Sequence, residues 1–273
     1  MIKIKVKYRP VSLIPFIRKI ESNVPQNWSD VTQKQLIAIA CLYKSAISDI
    51  VFLKAMSGLK KRILNRMTDF EHYKLMEIFE FIGDQKPYHE FIIRRLELRW
   101  LRSLSSSKWS KPVIKLYAAE GKLKGITFGQ FIFADTYFAN YQQSNDETDL
   151  NKFIASLYLG KNEKFEDCLI QERFESIGKL ELNIRQAIVL NYQLIHEWLA
   201  LAYPLIFQKC EEMTNDDSTD SARPVSDGSP WIKVFQNFVG DDIIHDEVWA
   251  AKPVNTIFAY MTRKYKENAR RKK

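Results

Sequence analysis

The sequence is poor in the residues that most often announce chemistry. Its three cysteines, Cys41, Cys168 and Cys210, are too few and too scattered for a disulfide framework, and no two form a Cys-x-x-Cys pair that would hold zinc. That usage suits a reducing compartment. There is no G-x-x-x-x-G-K-[ST] loop, no G-x-G-x-x-G turn and no G-x-S-x-G elbow, so neither a phosphate cradle nor a serine nucleophile is declared. The longest uncharged apolar run, Trp198 to Phe207, falls well short of the roughly 20 residues that span a bilayer. Lysine stands at every second position where a secretory signal would be apolar. The expectation is a soluble cytosolic protein with no membrane partner.

Charge is unevenly placed. The formal total is +8, yet Arg263 to Lys273 alone contributes +6, and Lys3, Lys5, Lys7 and Arg9 contribute +4. The body between them is close to neutral, so basicity is a property of the two ends.

What is present reads mainly α: a multi-helix bundle with a short N-terminal strand and a small β-hairpin. "MIKIKVKYRP" alternates Ile2, Ile4, Val6 and Tyr8 against the basic residues, the period of a half-buried strand ended by Pro10. "PVIKLYAAEGKLKGIT" suggests a hairpin near 112–126 turning at Glu120-Gly121-Lys122, on which the N-terminal strand would dock. Two helix starts are unusually complete. In "VTQKQL", Thr32 is the N-cap, Gln35 its reciprocal partner, and Val31 with Leu36 a hydrophobic staple; in "ITFGQF" the same roles fall to Thr127, Gln130, Ile126 and Phe131. The continuations "QLIAIACLY" and "QFIFADTYF" fit either an old duplication or two capped amphipathic helices that look alike by chance.

Periodicity predicts further helices over 69–82, 88–104, 148–159 and 184–203, the last apolar on most sides and ended by Pro204. Residues 214–230 hold no aromatic and a single large aliphatic, Val225, which marks a disordered loop or linker. The domain reading is therefore 1–213 as the main helical domain, 214–230 as the linker, and 231–273 as a C-terminal helical segment. In that segment Pro253 suits a first helical turn, and Val254, Ile257, Phe258, Met261 and Tyr265 form one stripe.

"ITFGQFIFADTYFANYQ" packs six aromatic residues into one helix. A stacking platform for nucleic acid interleaves its aromatics with cations, but here the only charge is Asp135. Phe128, Phe131, Ala134, Phe138 and Tyr141 are read as core, with Phe133 and Tyr137 beside them. The width of the face leaves Phe133, Tyr137 and Tyr141 as candidate protein-binding residues.

Other candidates carry plain alternatives. In "GDDIIHDE", His245 with Asp241 or Asp242 could ligate a divalent metal, but acids at a helix start also serve the helix dipole, and no metal site is assigned. "HEWLA" begins like a zinc-protease signature but has Ala200 where the second histidine belongs. His72 and His89 have no triad partners in sequence. The chain is read as non-enzymatic, without cofactors. The basic tail, Arg263, Lys264, Lys266, Arg270, Arg271, Lys272 and Lys273, is either a solvated helix end or an arm that neutralises phosphates or an acidic protein.

Five stretches, "VPQNWSDVTQKQLIAIA", "ITFGQFIFADTYFANY", "DLNKFIASLYL", "VLNYQLIHEWLALAYPLIF" and "FVGDDIIHDEVWAAKPVNTIFAYMTRKYKE", resemble uncharacterised proteins from tail-gene regions of Bacteroides-type phages and prophages. The resemblance covers about half the chain and rests on packing and capping patterns. It implies a tail assembly chaperone-like protein in the cytoplasm of a bacterial host, whose partners are phage tail proteins such as the tape measure; the sequence itself leaves an oligomer open. Such chaperones are usually much shorter, which leaves open a structural tail or neck component retained in the virion. A nucleic-acid-binding accessory protein using the basic tail is the alternative from another class, and steep salt dependence would distinguish it from an apolar helix contact.

Overall fold

The computed structural model describes residues 1–8, 17–84, 87–99, 113–207, 231 and 246–271. The linker 214–230, Cys210, Asp241, Asp242, His245, Lys272 and Lys273 lie outside the described residues. The fold is mainly α, with two small antiparallel sheets of two strands each. Two units can be separated: Met1–Tyr88 with Leu182–Glu197, and His89–Glu181 with Trp198–Lys273.

The first unit begins as the alternation predicts, but with a different partner. Strand β1 (Ile2–Tyr8) pairs with β2 (Arg18–Val24), placing Ile2 opposite Val24 and Val6 opposite Ile20. The N-terminal strand therefore does not dock on residues 112–126. "RKIESNV" has one polar residue too many for an obvious alternation, so β2 is invisible until β1 supplies the register. On the basic face Lys3 and Lys5 both meet Glu21. Beyond a 3-10 turn at Trp28–Asp30 come α1 (Gln33–Tyr43), α2 (Asp49–Ser57), α3 (Lys61–Leu64) and α4 (Asp69–Glu77). Helix α2 stops where Gly58 adopts φ +67°, a left-handed cap that glycine takes without a Cβ clash. Leu36, Ile39, Phe52, Leu53 and Met56 are buried, Phe52 meets Phe79 edge-on, and Trp28 meets Phe81 likewise. The start of α8 (Leu182–Ala202) adds Ile188, Tyr192 and Ile195, all fully buried. His196 sits 5.0 Å from the Tyr192 ring, an ordinary packing position.

In the second unit, the helix expected over 88–104 is instead strand β3 (Arg95–Arg99), paired with β4 (Val113–Tyr117). "RLELR" alternates with period two: Leu96 and Leu98 are buried, Arg95 and Glu97 exposed. Leucine's helix propensity concealed that alternation. The chain does turn at Glu120-Gly121-Lys122, where a single bridge pairs Glu120 with Lys124, but no strand hairpin forms across that turn. That stretch forms a 3-10 turn (Gly121–Leu123) with Lys122 and Leu123 at positive φ, and β4 pairs with the strand before it. Helices α5 (Phe128–Ser144) and α6 (Glu147–Leu157) follow, joined through Asn145 in the left-handed region, and then α7 (Cys168–Ile177). Tyr117 and Leu159 exchange backbone hydrogen bonds of 2.7 and 3.0 Å, tying β4 to the end of α6. The C-terminal elements are α9 (Asp246–Ala250) and α10 (Val254–Arg271).

Candidate interaction surfaces

Helix α5 answers its own aromatic question. Phe128, Phe131, Ala134, Phe138 and Tyr141 are buried, as the wheel predicts. Their cover comes from far along the chain. Phe131 lies 5.1 Å from both Phe258 of α10 and Trp231, and 6.3 Å from Phe207, each edge-on. The one charge on the helix, Asp135, is buried and accepts a hydrogen bond from the Trp231 indole N–H, which offsets its loss of water. Backbone bonds fix the junction. Phe128 N donates to Lys252 O at 2.8 Å, and Val254 N donates to Ile126 O at 3.0 Å, so the start of α10 forms a β-bridge to the cap of α5.

The three candidate binding residues on α5 separate. Tyr141 is interior, only 6% exposed. Phe133 is half-buried, packed 5.6 Å from Phe165 and 6.4 Å from Tyr137. Tyr137 is also half-buried under the Lys152 ammonium at 5.6 Å; burial, then the Asp149 and Asp167 carboxylates, raise its phenol above the ordinary value.

The basic tail is helical as far as Arg271. Val254, Ile257, Phe258 and Met261 are buried, whereas Tyr265 is 46% exposed and does not continue the packed stripe. Arg263, Lys264, Lys266, Arg270 and Arg271 are all exposed.

Two surfaces go beyond the sequence candidates, the second sharing only Arg263 with the basic tail. On α4, Phe70 and Tyr73 are 66% and 62% exposed, one turn apart, with Lys74 Nζ 5.0 Å over the Phe70 ring. In the second unit, Lys252 Nζ lies 4.2 Å over Trp249, Trp249 lies 5.9 Å from Tyr260, and the Arg263 guanidinium lies 5.1 Å over Tyr260. The signal for the second was legible: Trp249 with Lys252, and Tyr260 with Arg263, are both aromatic–cation pairs at i, i+3. An open cavity of about 550 Å³ lies between the end of β4 and the end of α6, bordered by Tyr117, Lys124, Gly125, Gln130, Leu159 and Lys161.

Among the described residues no group of His, Cys, Asp and Glu side chains could hold a metal ion, and no helix is long and apolar enough to cross a membrane. No protein-family model, curated protein or solved structure matches the chain.

Proposed function

We propose that this chain is a non-enzymatic assembly factor of a phage or prophage tail, which binds a tail protein such as the tape measure through apolar helix surface. The sequence resemblance supplies the setting. The structural observation that carries the reading is the Phe70–Tyr73 pair, two large aromatic side chains left in water on one helix face. Such a pair is the kind of anchor that an amphipathic partner helix covers. Phe133 and Tyr137 form a second, smaller contact at the edge of α5.

Co-expression with the adjacent long tail protein tests the reading. The expected result is a soluble complex that Phe70→Ser with Tyr73→Ser weakens at least tenfold, at unchanged melting temperature. Phe133→Ser with Tyr137→Ser tests the second contact in the same assay. If no tail protein co-purifies and assembled particles contain this chain at fixed stoichiometry, the assembly-factor reading fails and a structural tail or neck component replaces it.

A further inference from the structure

We propose that the Lys252–Trp249–Tyr260–Arg263 cluster and the basic face of α10 together form a binding site for single-stranded nucleic acid. The reasoning starts from helix geometry. The buried residues Val254, Ile257, Phe258 and Met261 fix which side of α10 faces the core. At 100° per residue, Arg263, Lys266 and Arg270 (i, i+3, i+7) fall on the opposite side, in one row. Tyr260 borders that row one turn earlier, 37% exposed, and the half-buried Trp249 of α9 lies beside its ring. Two neighbouring rings are therefore flanked by cations and continued by a basic row, the arrangement absent from α5.

Each component has a distinct role. The Lys252 and Arg263 head groups already stand over rings, which places positive charge where a phosphate would lie when a base stacks beside it. Lys266 and Arg270 continue the charge along the backbone path. Stacking requires an unpaired base, so a single strand fits this surface and a duplex does not. The carboxylates of the same two elements, Asp246 and Glu247 on α9 and Glu267 on α10, oppose binding, but residues 246–271 still sum to +3. An acidic protein segment would use the cations and leave the rings idle.

The test is fluorescence anisotropy of the full chain with labelled oligothymidylate, an abasic strand of equal length, and polyglutamate, over a salt series. Four phosphate contacts predict a slope of about −3 in log affinity against log salt. Oligothymidylate is expected to bind at least fivefold more tightly than the abasic strand, and more tightly than polyglutamate. Lys266→Gln with Arg270→Gln should weaken binding about tenfold and reduce the slope by about 1.4. Tyr260→Leu should remove the preference over the abasic strand while leaving the slope unchanged. No binding to oligothymidylate at low salt overturns the proposal. So does equal affinity for the abasic strand, which would leave a plain polyanion surface, or tighter binding to polyglutamate, which would indicate an acidic protein partner.

Discussion

Helix pairs α1–α2 and α5–α6 are built to the same plan and finished differently. Each follows a two-stranded antiparallel pair and a 3-10 turn. Each opens on a threonine N-cap, Thr32 or Thr127, whose hydroxyl accepts from the amide three residues on. In each, the glutamine at that third position is buried and its side-chain amide donates to the penultimate carbonyl of the next helix: Gln35 to Met56 O at 2.9 Å, Gln130 to Ser156 O at 2.8 Å. Capping alone does not require that reach into a neighbouring helix. The same supersecondary unit is thus built twice, with the glutamine clamping its two helices together.

The difference lies at the cap. Gln35 also accepts from Thr32 N at 2.9 Å, closing the capping box. In α5 that reciprocal bond is not made, and the flanking backbone instead pairs with the connection before α10. Where the α1 pair closes its capping box, the α5 pair makes a long-range bridge, and α10 supplies Phe258 to its core. The α1 cap is closed by local bonds alone, whereas the α5 cap is also braced by a distant segment of chain.

The largest expected effect follows from that contrast. Phe258 meets Phe128, Phe131, Tyr203, Phe207 and Trp231, so Phe258→Ala should cost about 3–5 kcal/mol. Amide exchange should rise in α5 and α6 more than in α1 and α2. Equal loss of protection in both helix pairs would contradict the assignment of Phe258 to the core around α5.

Next come the clamps. Gln130→Leu leaves the Ser156 carbonyl without its donor and should cost about 1–3 kcal/mol by denaturant unfolding. Gln35→Leu strands the Met56 carbonyl and also opens the capping box, so it should cost about 1 kcal/mol more. A larger effect at Gln130 than at Gln35 would mean that the local cap contributes nothing.

Much of this plan was legible in the sequence, and the reasons separate cleanly. Thr-x-x-Gln names a cap because capping is local chemistry, and both staples, Val31 with Leu36 and Ile126 with Phe131, are buried as their spacing implies. The clamp was not legible, since it depends on where the next helix ends. Strand β3 was missed because two leucines among charged residues satisfy a helix as readily as a strand until Leu116 appears opposite Leu96. Of the site residues, Tyr141 shares a helical wheel with the core and is buried there, while Phe70 and Tyr73 fall inside a segment whose periodicity predicts only a helix. Periodicity marks which face can be covered, but whether another element covers it is decided by tertiary packing.

Acid stability offers a smaller test of the two units. Glu163 is held below the ordinary carboxylate value first by the hydrogen bond from the buried Arg173, with help from the Gly160 amide. Its contribution is fully present above the unfolded carboxylate value of about 4.3 and is lost as pH falls through the lower folded value. Glu163→Gln should therefore cost about 1–2 kcal/mol at neutral pH and flatten the acid limb of the stability profile. Glu21 is likewise lowered, chiefly by Lys3, but that pair is in water. Glu21→Gln should leave the profile unchanged within error, because solvent screens the attraction. Matching acid limbs in the two variants would show that burial of Arg173 is irrelevant.

The two sheets give the smallest expected difference. In β3–β4 the inward side chains Leu96, Leu98 and Leu116 are fully covered, whereas on β1–β2 Ile4, Val6 and Ile20 are only half-buried and Ile2 is 39% exposed. A lysine in place of Ile4 can carry its ammonium out to water while its stem replaces part of the lost contact. Ile4→Lys should thus cost only about 1 kcal/mol, the value of half-burying an isoleucine. Lys5 points to the other face with its side chain 70% exposed and shares Glu21 with Lys3, so Lys5→Glu should change the melting temperature by less than Ile4→Lys does. If the two substitutions prove equal, the alternation of β1 does not define a covered and a solvated face. If Ile4→Lys costs as much as a core substitution, the half-exposed face of this hairpin is covered in solution.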